Sequence, residues 1–122
     1  MAWTLDARLR VVMVADAQAL AAAVASGPTA AVLAEAPPPP MPPGAAALAG
    51  FEPAMPHTAG CGCCGGRPPA AAALDRLFQA RVRGACPWFE RVVALAESPE
   101  AREAVTAALR DDAVTAARFR PA

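Results

Sequence analysis

The sequence predicts an α/β domain of three layers, a short and mostly parallel sheet of three to four strands with helices on both faces. Three observations predict it. Two short apolar runs, Val11–Ala15 and Thr29–Glu35, flank one amphipathic helical stretch in a single βαβ unit. Helix stop signals fall where that unit needs them, at Gly27-Pro28. After a proline-rich interruption, helix and strand patterns alternate again from Arg67 to the end.

The first strand is read over Arg8–Ala15, where β-branched residues crowd together. Asp16 follows, placed to cap a helix over Ala17–Ser26 whose buried face is Leu20 and Val24. Thr29–Glu35 is the second strand, and two strands joined through a helix must pair in parallel. Pro37–Pro43 then reads Pro-Pro-Pro-Pro-Met-Pro-Pro. Proline fixes φ and removes backbone donors, so the segment is extended polyproline II and exposed. Such a stretch acts either as a ligand for an aromatic groove or as a spacer in a surface loop, and the spacer is the expected role.

Gly44–Gly50 suggests one Ala-rich helical turn, and Glu52–Thr58 an irregular third strand broken by Pro53 and Pro56. Arg67-Pro68-Pro69 opens a helix to about Arg83, with Leu74, Leu77 and Phe78 inward and Gly84 as the stop. Glu90–Ala96 is a further strand. Ser98-Pro99 starts a helix to Arg110 that buries Val105 and Leu109, and Asp111-Asp112 caps a last helix over Ala113–Phe119. Residues 1–122 are thus one domain with a Pro-rich loop at 36–50. Much of the 56% apolar content is alanine, so the core is expected to be thin and closely packed.

Charge excludes several functions. The formal net charge is zero, which leaves no clustered basic footprint for nucleic acid. All 11 basic residues are Arg, and the chain has no Lys and no Asn. A phosphate loop that relies on Lys cannot form. Val11–Ala25 carries Asp16 and Gln18 and is too short to span a bilayer, and it lacks the pattern of an export signal. A cytoplasmic location is expected, where cysteines remain thiols or metal ligands.

Those cysteines are concentrated. Cys61, Cys63 and Cys64 lie within Gly60-Cys61-Gly62-Cys63-Cys64-Gly65-Gly66. Glycine lets the backbone turn tightly enough for several sulfurs to converge. Thiolates are soft ligands suited to zinc or cuprous copper, and tetrahedral zinc needs a fourth ligand. Candidates for it are His57, Cys86, Glu35 or water, with His57 four residues ahead of Cys61. A thiol redox role is the weaker reading, because Cys63 intrudes between Cys61 and Cys64. Cys86, beside Pro87-Trp88-Phe89, reads as a small buried apolar residue.

The order of these features resembles the CobW-type metallochaperone GTPases. The residues that carry the resemblance are Gly60-Cys61-Gly62-Cys63-Cys64, the Arg-containing helix after it, Phe89-Glu90-Arg91-Val92-Val93, and Asp112 through Ala116-Ala117-Arg118-Phe119-Arg120. The resemblance implies a truncated P-loop-like domain and metal binding by Cys61, Cys63 and Cys64. It does not extend to the nucleotide site. Where the family has its phosphate cradle, this sequence reads Ala15-Asp16-Ala17-Gln18-Ala19-Leu20, with no Gly, Lys, Ser or Thr. An Asp at the helix start repels phosphate and takes the anion position itself. Leu95 stands at the position of the family's acidic residue, Glu97 is a shifted substitute, and the sequence ends at Ala122, ahead of the family's later strands. The expectation is a degenerate member that is not an enzyme and binds no nucleotide. It holds a metal ion, with zinc as the expected one, for delivery, storage or sensing. The alternative is an adaptor that uses the remnant fold, or a homodimer joined at an exposed sheet edge.

Overall fold

A computed structural model describes residues 6–53 and 67–122. Strand β1 is Leu9–Val14, and helix α1 follows at Ala17–Ala25, capped by Asp16 as its sequence position requires. Strand β2 is Ala30–Glu35 and β3 is Leu48–Phe51. Helix α2 spans Pro69–Arg83, β4 Arg91–Leu95, α3 Pro99–Asp111, α4 Ala113–Arg118 and β5 Phe119–Pro121. The strands form one sheet in the order β3-β2-β4-β1-β5, and every pairing is parallel. The α/β class is the expected one, with five strands among the described residues in place of three or four.

Alternation along β2 divides the core between the two faces of the sheet. Ala30, Val32 and Ala34 join Val93 and Leu95 beneath Leu20 and Val24 of α1. Ala31 and Leu33 face the other way, toward Leu74 and Leu77 of α2 and Val105 and Leu109 of α3. Helix α2 meets the sheet with Ala70, Ala71 and Ala73, all fully buried. Methyl groups let helix and sheet approach closely, which is how so few large side chains fill this core. Phe78, expected inward, is half-buried and meets Phe119 edge-on at 6.1 Å.

Two elements differ from the expectation. The Ala-rich stretch after Gly44 forms no helical turn, and its second half is β3. Ala46 N donates to Ala30 O at 2.9 Å and Val32 N to Ala47 O at 2.8 Å, so the open edge of β2 captures this backbone before alanine's helical preference can act. The third strand accordingly lies ahead of Glu52; residues 54–58 of the expected strand lie outside the described residues. The last helix stops at Arg118, and Phe119 pairs with Leu9 to add β5 to the free edge of β1. Pro121 is tolerated there because an edge strand needs no outward amide.

Arg91 is 6% exposed. Its guanidinium donates to Ala23 O, Ser26 O and Pro28 O, each at 2.8 Å. These carbonyls belong to the C-terminal turn of α1 and the bend after it, where Gly27 has φ +100°. A cation at that end also offsets the negative pole of the helix.

Candidate functional site

Strands β1 and β4 are neighbours, yet β1 leads to α1 on one face and β4 leads to α3 on the other. An open parallel sheet creates its ligand crevice at such a switch point, outside the carboxyl ends of the strands. Here both adjoining helix N-termini already hold carboxylates of the chain. Asp16 Oδ1 accepts from Ala19 N at 2.7 Å at the start of α1. At α3, Ser98 Oγ accepts from Ala101 N at 3.1 Å. Glu35, the last residue of β2, reaches across to the same helix. It accepts from Glu97 N, from Ser98 N at 2.8 Å and from Ser98 Oγ at 2.9 Å. Partial burial works to raise the Glu35 pKa. The Ser98 and Glu97 donors and the charge of Arg102 outweigh it, and the carboxyl titrates below its ordinary value.

The expected metal ligands Cys61, Cys63, Cys64 and His57 lie outside the described residues. Their segment is bounded by the carboxyl end of β3 and by the start of α2, and the second boundary is firmly tied. Arg67 pairs with Asp112 at 2.8 Å and with Asp75 at 3.6 Å, and Asp75 also pairs with Arg118 at 2.5 Å. Asp112 in turn caps α4 through Thr115 N at 3.0 Å. Burial pushes the Asp112 carboxyl up, but the Arg67 and Thr115 donors carry it below the ordinary carboxylate value. Four charged side chains thus lock the residue that follows the cysteine segment to α2, α3 and α4.

Of the other fourth-ligand candidates, Glu35 has both carboxylate oxygens engaged at α3. Cys86 is half-buried against the larger core cluster, the packing role its neighbours predict. It precedes β4 and so stands at the amino edge of the sheet, opposite the end of β3. Leu95 is 2% exposed beneath α1, where it serves packing alone, and Glu97 is exposed. Among the described residues, no three His, Cys, Asp or Glu side chains come together as a metal site. None of the described helices is long and apolar enough to cross a membrane.

Sequence reasoning missed two roles. Glu35 was visible only as a possible ligand, because its partners lie 62 and 63 residues away. Arg91 carried no signal at all, since its three acceptors are backbone carbonyls of another element. No protein-family model, no curated protein and no solved structure matches the chain.

Proposed function

We propose that this chain is a non-catalytic metal-binding protein that takes zinc on Cys61, Cys63 and Cys64, with His57 as the fourth ligand, for delivery, storage or sensing. One observation carries the reading: three cysteines within four residues, flanked on both sides by glycine. The donor set fits a soft cation, since thiolates bind zinc strongly and a glycine-bordered bend can gather them. The ion pairs of Arg67 support it by giving the segment a fixed point of return. Nucleotide chemistry is not part of the proposal. Asp16 and Glu35 fill the two helix N-termini where phosphate would be received, and Leu95 has no acid to offer. The reading requires a reducing compartment such as the cytoplasm, where thiolates stay available.

The test is equilibrium dialysis of the purified chain against zinc, followed by metal analysis and competition with a chromogenic chelator. About one zinc per chain is expected, lost in the Cys61→Ser/Cys63→Ser/Cys64→Ser variant. A chain that takes up no zinc, or a triple variant that keeps it, contradicts the proposal. A protein-binding role is favoured by a separate observation, the exposed proline strip.

A further inference from the structure

Residues 36–43 show a burial rhythm of three. Ala36, Pro39 and Pro42 are half-buried, while Pro37, Pro38, Pro40, Met41 and Pro43 are exposed, Met41 at 50%. A polyproline II helix has three residues per turn, so residues three apart form one row. Within the strip, Pro39 and Pro42 therefore form the row that lies on the body of the protein. Pro37, Pro40 and Pro43 form a row that faces outward, and Met41 stands exposed beside it, whereas Pro38 keeps one side of its ring against Gly50. A slack spacer has no reason to keep such a register.

Both ends of the strip are held. Ala36 N donates to Phe51 O at 2.7 Å, and the ring of Pro38 lies close against Gly50, where an added Cβ would stand 3.3 Å from Pro38 Cγ. At the far end Ala45 N donates to Pro42 O at 3.1 Å, with Gly44 at φ +87°. Pro followed by a positive-φ Gly is the central pair of a type II turn. Both ends of the strip are thus anchored before any partner arrives, and the ordering cost of binding falls.

We propose that Pro37–Pro43 is a preformed ligand for a partner protein with an aromatic-lined groove, its outward row Pro37/Pro40/Pro43 and the neighbouring Met41 seated between the partner's rings. Seven such residues extend about 20 Å, enough to lay several prolines along such a groove. The chemistry narrows the partner further. No Arg or Lys occurs between Arg10 and Arg67. The strip's own sequence therefore offers no cation to an acidic pocket, and Arg76, which reaches the neighbouring Gly50, is engaged with that residue's carbonyl at 2.8 Å, so the groove reads proline itself. This proposal is independent of metal binding.

The test titrates the full chain into purified WW, EVH1 and SH3 domains and follows the domain's tryptophan fluorescence and the heat of binding. Saturable binding to a WW or EVH1 domain is expected, weaker or absent with an SH3 domain that relies on an acidic pocket. Pro40→Ala/Met41→Ala, which removes the middle of the outward row and the exposed methionine beside it, should weaken it at least about tenfold. Pro39→Ala, in the row against the body, and Trp88→Ala, which removes an exposed aromatic elsewhere, should stay within about threefold. Circular dichroism checks that each variant is folded. Absence of binding to all three domains overturns the proposal. So does binding that survives in the double variant, or that falls equally in Trp88→Ala.

Discussion

Glu35 joins the end of a central strand to the start of α3, accepting from Glu97 N, Ser98 N and Ser98 Oγ, 62 and 63 residues later. A carboxylate at a helix N-terminus satisfies amides that have no partner within the helix and favours the positive pole there. Its pKa is lowered from 4.5 in the folded chain. A group shifted this way adds stability that is fully present above its unfolded pKa and is lost as the pH falls through the folded one. Glu35→Gln should therefore lower stability at neutral pH by about 1–2 kcal/mol in urea titrations. The gap between variant and parent should close as the pH drops below 4.5. A gap that stays constant down to about pH 3 would mean that the charge contributes nothing. Asp16 shows the contrasting case of a cap legible in the sequence: it precedes an apolar helical pattern directly, and its oxygen accepts from Ala19 N as that position implies.

Among the elements, legibility followed locality. Helices α2 and α3 were readable at both ends, because Pro68-Pro69, Gly84 and Ser98-Pro99 act on the backbone where they stand. Strands β1, β2 and β4 were readable from short apolar runs with β-branched residues. The misread elements were β3 and β5, both edge strands whose conformation is imposed by an open neighbour. Nothing in Leu48–Phe51 favours a strand over a turn until β2 is beside it. The end of α1 is a further tertiary product. Ser26 Oγ donates to Ala22 O at 2.9 Å, while Arg91 of β4 gathers Ala23 O and Ser26 O of that turn and Pro28 O of the bend after it. Arg91→Leu keeps the burial and removes all three donors. It should cost about 3 kcal/mol in chemical unfolding and increase amide exchange in the last turn of α1. Unchanged exchange there would show that the helix end holds without it.

As a single body, the described residues form a parallel sheet whose carboxyl edge has two helix N-termini closed by the chain's own acids. The fold was largely legible because it rests on hydrophobic period and on proline and glycine stops. The chemistry was legible only in part. The cysteine spacing is written in four consecutive residues, whereas the Glu35 closure and the Arg67–Asp75–Asp112–Arg118 lock depend on elements meeting in space. The same contrast separates the two proposals. Metal binding rests on local sequence, and the proline ligand rests on a burial register that only the fold reveals. Zinc K-edge X-ray absorption of the loaded chain tests the metal reading at the level of its atoms. Three sulfur scatterers at about 2.3 Å with one nitrogen at about 2.0 Å are the expected shell. A shell of nitrogen and oxygen alone would contradict it.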